Sequence, residues 1–278
     1  MGGAMGDTEA IETALKALGA APDDGLDIAE AALLLAALDR PAIDLMPYRR
    51  HLGDIAAALS RVDAGPEVAP RAMALAGVIG VEFGYRGDTE TYDDPQNADL
   101  IRVIDRRMGL PVALGILYIY AAKAQAWPVS GLDFPGHFLI RLEGEDGGLV
   151  LDPFHGGRIA APPEMQDLLR RMGGGEDVRP EHMRPMSARE VLLRLQNNIK
   201  GRAWRAGDLE RTAETLRRML LVAPNFAAAW RELGVVEGKL GRIRQAIAAT
   251  ERFLMLAGDE AASLEAEAFL RHIRLQLN

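Results

Sequence analysis

Phe134-Pro135-Gly136-His137-Phe138-Leu139-Ile140-Arg141-Leu142, followed shortly by Leu149-Val150-Leu151-Asp152-Pro153-Phe154-His155-Gly156-Gly157, is the stretch on which the fold turns. Phe138, Ile140 and Leu142 alternate with His137, Leu139 and Arg141, which is the period of a half-buried strand. Gly144 to Gly148 has turn composition, and Leu149 to Asp152 resumes as a short apolar strand, so a β-hairpin is expected. In an antiparallel pair the outer ends meet. His137 and Asp152 can therefore be neighbours in space, and an Asp that accepts a bond from one imidazole nitrogen sets the tautomer of the other for base work.

Upstream, a strand around Val129 to Leu132 would widen the hairpin into a small antiparallel sheet. Before it stands the apolar run Leu110 to Ala122, shorter than the roughly 20 residues a bilayer span needs, and read as a buried helix. Pro111 suits the first helical position, where its missing N–H costs nothing. The N-terminus of that helix, with unpaired N–H groups and the positive end of the dipole, would stabilise a thiolate or an oxyanion. Further helices are expected over Asp27 to Leu38, capped by Asp27 with Glu30 reaching back, and over Met46 to Ser60 and Pro70 to Val81. Phe83 to Pro95 reads as a loop, and Asn97 as the cap of the next helix. Helices followed by strands indicate an α+β domain.

Beyond about Ala188 the strand signals stop and helical pairs begin. Trp230, Leu233 and Gly234 stand in the W-x2-L-G register of a tetratricopeptide (TPR) unit, with Ala246 sixteen residues after the Trp. A weaker unit, about Leu193 to Asn225, precedes it with Gln196 in place of the Trp. The expected organisation is a flexible N-terminus at 1–24, an α+β domain at 25–175, a linker at 176–190 that begins just after Gly173-Gly174-Gly175, and an all-α TPR-like tail at 191–278. Such a tail points to a protein or peptide partner, with Trp230 as its interaction candidate.

Composition removes several chemistries. Among 278 residues there is no cysteine, so disulfides, Cys-ligated zinc, iron–sulfur clusters and a thiolate nucleophile are excluded. A net charge of −8 argues against a nucleic-acid partner; Arg49-Arg50 and Arg106-Arg107 read as solvated helix faces. No membrane partner is indicated, no cofactor is expected, and a cytoplasmic protein is the default.

The set Asn97-Ala98-Asp99-Leu100, Arg107 to Leu114, Phe134 to Phe138 and Leu151 to Phe154 resembles the bacterial SirB family, transglutaminase-like proteins with a TPR tail. The resemblance covers about residues 25 to 278 and implies a papain-like fold, a small antiparallel sheet packed on a central helix. That fold carries a Cys-His-Asp triad in transglutaminases and papain-like proteases. The resemblance implies His137 for the His, Asp152 for the Asp, and Ala113 at the nucleophile position, where other members tend to have Ser. A methyl group can neither attack a carbonyl nor donate a proton, and Ser130 has no spacing that puts it on that helix end.

Three readings follow. The first is a non-catalytic interaction or regulatory module that lacks the nucleophile. The second is a hydrolase of amide or ester bonds in which His137, paired with Asp152, activates water. The third is metal-assisted hydrolysis at His137, Asp152 and His155, two His and one carboxylate. Asn97, Pro135, Gly136 and His155 are further cleft candidates.

Overall fold

In the computed structural model of the chain, residues 2–171, 173 and 177–275 are described, with side chains from Asp7 onward. In chain order the elements are α1 (Gly2–Ala20), α2 (Ile28–Ala37), α3 (Met46–Ser60), α4 (Val68–Leu75), β1 (Arg86–Gly87), α5 (Leu100–Arg106), β2 (Met108–Gly109) and α6 (Pro111–Ala124). There follow β3 (Val129–Leu132), β4 (Leu139–Gly144), β5 (Gly147–Asp152), β6 (Arg158–Ile159), α7 (Pro162–Arg171), β7 (Pro185–Met186) and α8 (Ala188–Arg205). Helices α9 (Leu209–Val222), α10 (Ala227–Lys239), α11 (Ile243–Leu256) and α12 (Glu260–Arg274) complete the chain.

The fold is α+β, as the periodicity indicates. Strands β6-β5-β4-β3-β7 form an antiparallel sheet. The three central strands lie where the alternation puts them. The edge strands β6 and β7 are two residues long, too short to carry a period. Helix α6 is buried from Pro111 through Ile119, because apolar residues occupy every face rather than one stripe. Phe138 fits against it where Gly115 and Gly131 leave room; a β-carbon at either glycine would run into its ring. Each such fully buried large side chain contributes about 1.5–3 kcal/mol of transfer free energy.

Several expectations change. Asp27 caps α2 by accepting from the N–H groups of Ala29 and Glu30, both at 3.0 Å. Glu30, however, pairs with Arg49 instead of closing a capping box. The helix begun by α4 continues to Glu82 as a widened π-type turn in which the Phe83 N–H reaches the Val78 carbonyl at 2.9 Å. Residues 1–24, expected to be flexible, contain α1, with Ile11, Leu15 and Gly19 buried at four-residue spacing. Gly19 lies against the Leu221–Val222 backbone, an approach no side chain would permit. The expected linker 176–190 supplies β7 and the start of α8; Gly174, Gly175 and Glu176 lie outside the described residues.

By packing, residues 1–14 with 21–195 form one compact unit and residues 15–20 with 196–278 the other. The boundary falls inside α8, five residues later than the sequence suggests. In the second unit α10 and α11 pack as a helical pair. Gly234 meets Thr250 and the Ala246 carbonyl there, and Ala246 is fully buried. Small residues at the W-x2-L-G positions thus let the two backbones come close.

Candidate functional site

The hairpin register sets Ile140 opposite Leu151 and ends there on the open side. His137 and Asp152 follow just beyond the paired residues. Gly136, exposed with φ +70°, makes the turn that returns the chain into β4. His137 is 6% exposed and Asp152 1%, and the His137 Nε2 donates to Asp152 Oδ1 at 2.9 Å. That bond leaves Nδ1 as the ring nitrogen free to act as a base.

Asp152 also begins the tight turn Pro153–His155. Its Oδ1 accepts from the N–H groups of Phe154 at 3.0 Å and His155 at 3.4 Å. The turn brings His155 back on the same carboxylate, where its Nδ1 donates to Oδ2 at 2.7 Å. Burial pushes the Asp152 carboxyl upward, but the bonds and charges of His137 and His155 outweigh it and hold the group below the usual range. One carboxylate thus carries two imidazoles, and His155 is 41% exposed.

The Phe154 ring forms one wall, edge-on to His137, His155 and Tyr92 at centroid distances of 6.1, 5.2 and 5.8 Å. It lies against Gly87, where a β-carbon would stand 2.5 Å from the ring. Tyr118 of α6 is fully buried, and its hydroxyl has no hydrogen-bond partner among the described residues. Burial and the Asp152 charge push that hydroxyl up.

Ala113, the third residue of α6, is 0% exposed. Leu110 caps this helix without a side-chain bond. Ser130 lies in β3 opposite Arg141. Pro135 is half-buried in the turn before His137. Arg194, which the sequence reading missed, braces that turn by donating to the carbonyls of Phe134 at 2.6 Å and His137 at 2.7 Å. No sequence signal marks it, because it belongs to α8, far along the chain.

Asn97 is neither a cap nor a cleft residue. Asp99 caps α5 by accepting from the Arg102 N–H. Asn97 is wholly buried, donates to the Thr91 carbonyl at 2.7 Å and accepts from Arg106 at 2.8 Å, and its carbonyl takes the Leu110 N–H just before α6. Arg106 also pairs with the buried Asp88 at 2.9 Å. Arg107 stacks over Tyr85 at 4.8 Å and bonds to both the Tyr85 hydroxyl and His51. The Arg106-Arg107 pair is therefore engaged in structure rather than solvated.

In the second unit Trp230 is half-buried, and its indole N–H donates to the Pro224 carbonyl at 2.8 Å. The exposed indole is Trp204, with Lys239 over its ring at 4.6 Å. Trp204 lines a groove of about 430 Å³ with Lys200, Arg231, Glu232, Val235 and Val236. Among the described residues no helix is long and apolar enough to cross a membrane.

Two family models agree with this architecture. A model of the transglutaminase-like superfamily matches residues 47–197, and a tetratricopeptide repeat model matches 199–271. A UPF0162 protein of Xylella fastidiosa is 32% identical over 242 residues, covering 84% of this chain and 85% of that one. A UPF0162 protein of Pseudomonas aeruginosa is 29% identical over 200 residues, 72% of this chain and 73% of that one. Among solved structures, menin aligns with TM-score 0.43 and 11% identity over 93% of this chain and 72% of its own. By the family model over residues 47–197 and the 32% identity to the Xylella protein, the chain belongs to the transglutaminase-like superfamily and, within it, to the UPF0162 proteins.

Proposed function

We propose that this protein is a non-catalytic binding module, a transglutaminase-like domain without a nucleophile whose repeat tail captures a protein or peptide partner. The observation that carries the reading is Ala113: a fully buried methyl group occupies the start of the central helix, the position that the family resemblance gives to the nucleophile. The groove beside Trp204 supports the binding half, since an exposed indole among apolar and charged neighbours is the composition of a binding hot spot. The reading includes a SirB-type role in a bacterial cytoplasm, supported by the motifs from Asn97 to Phe154 and by bacterial relatives. Its test is capture of partners on immobilised full-length protein. Trp204→Ala abolishes capture and His137→Ala preserves it; the reverse pattern sinks the reading.

A second reading has one observation of its own. His137 commits Nε2 to Asp152 and keeps Nδ1 for a base, the arrangement that water-mediated hydrolysis of an amide or ester requires. Turnover of an ester and amide panel that disappears in His137→Ala supports it. Equal turnover in wild type and variant removes it.

A further inference from the structure

The cluster at the hairpin ends holds more than a triad remnant needs. Orienting one imidazole takes one carboxylate oxygen, and the turn Pro153–His155 is already closed by backbone N–H groups on Asp152 Oδ1. His155 adds a second imidazole on Oδ2. One nitrogen from each ring and one carboxylate oxygen lie within 4.8 Å of one another, and among the described residues no other group of three His, Asp or Glu side chains meets that condition. We propose that His137 Nε2, His155 Nδ1 and Asp152 form a binding site for a divalent transition metal, zinc in the first instance. On binding, each ring's proton leaves the nitrogen that faces Asp152 and the ring is held as the other tautomer, protonated on His137 Nδ1 and His155 Nε2. Two lone pairs then meet the ion in place of the two hydrogen bonds.

The donor set fits that ion. Two imidazole nitrogens and one carboxylate oxygen leave a fourth tetrahedral position open, the pattern of sites that keep a water on the metal. Ligand atoms on a tetrahedral zinc stand about 3.3 Å apart, given bonds of about 2.0–2.1 Å. The present contacts run to the two different carboxylate oxygens, 2.9 Å from His137 Nε2 to Oδ1 and 2.7 Å from His155 Nδ1 to Oδ2. One nitrogen of each ring and one oxygen already lie within 4.8 Å of one another, so the set reaches that spacing by side-chain adjustment alone. Access exists on the His155 side, the one exposed member of the three. Gly156 at φ +71° and Gly157 at φ +77° shape the loop that presents His155. The buried Tyr118 hydroxyl, without a hydrogen-bond partner among the described residues, lies against Gly157 in that same loop. It supplies a polar group for an ordered water there.

Magnesium and calcium are disfavoured, since they prefer all-oxygen shells. The site is independent of the tail, so it stands or falls separately from partner capture.

The test uses the full chain, stripped with a chelator, dialysed and titrated with Zn²⁺ against a chromophoric competitor. One equivalent is expected to bind. His155→Ala, a change at a partly exposed side chain that should leave the fold intact, lowers the affinity at least about tenfold, as does His137→Ala. Co²⁺ in place of Zn²⁺ gives the visible absorption of a tetrahedral nitrogen and oxygen site, and His155→Ala abolishes it. If His137→Ala fails to fold, His155→Ala alone decides the matter. Failure to bind one equivalent, or binding equal in wild type and His155→Ala, overturns the proposal.

Discussion

Two buried carboxylates in the first unit make opposite use of the same local device. Asp88 and Asp152 are each nearly inaccessible, and each accepts the backbone N–H groups of the residues two and three positions after it. Burial raises both pKa values, and hydrogen bonds bring both below the usual range. The side chains that complete them differ. Asp88 receives Arg106, a guanidinium that has donors only, whereas Asp152 receives two imidazoles, a side chain with one donor and one acceptor nitrogen when neutral. The first is a brace and the second is a place where chemistry or ligand binding can be written.

The sharpest way to break that contrast is to cut each cluster once. Arg106→Met leaves the Asp88 charge buried and unpaired and is expected to cost about 3 kcal/mol or more in urea unfolding. His155→Ala removes a partly exposed partner from a carboxylate still held by His137 and two N–H groups, so the expected cost is about 1 kcal/mol. Equal losses would erase the distinction. Next in size are substitutions that press on the walls. Gly87→Ala drives a methyl group into Phe154 and Gly115→Ala drives one into Phe138, each at roughly 1–3 kcal/mol by thermal or urea denaturation. Gly87→Ala should also weaken the proposed Zn²⁺ site, because the displaced Phe154 stands next to His155 in the chain and two residues after Asp152, whereas Gly115→Ala should cost stability alone.

The contrast was half visible in the sequence. Alternation in 138–142 and turn composition at 144–148 suffice to bring His137 and Asp152 together, since both signals are local. Pro111 likewise announces the start of α6 and puts Ala113 near its end. The Asp88 brace is invisible for the opposite reason: its members come from a loop, a short 3-10 turn and a helix end, and only tertiary contact joins them. Asn97 passes for a cap because capping residues are recognised by type, and Asp99 two residues later takes the position. The repeat register draws attention to Trp230, whose N–H is committed to Pro224, while Trp204 stands in no register and is exposed. Helix α1 escapes notice because, among its described side chains, the buried face is only Ile11, Leu15 and Gly19.

Acid titration gives the smallest effect and the finest separation. For Asp88 and Asp152 the folded pKa lies below the unfolded value of 3.8, so their stabilisation is complete above about pH 4 and is lost as pH falls through the folded values. His51 acts earlier. Burial, then the charge of Arg107, lowers it from 6.5 to about 4. The unfolded chain therefore takes up a proton on His51 first, and stability declines as pH falls from about 6.5 to about 4, then levels off for this group. His51→Gln keeps a polar partner for Arg107 and Tyr85 and removes the titration, so urea unfolding at about pH 7, 5.5 and 4.5 should give a flatter profile than wild type. A slope that survives unchanged in His51→Gln would overturn this assignment and place the mild-acid sensitivity outside the His51, Tyr85 and Arg107 cluster.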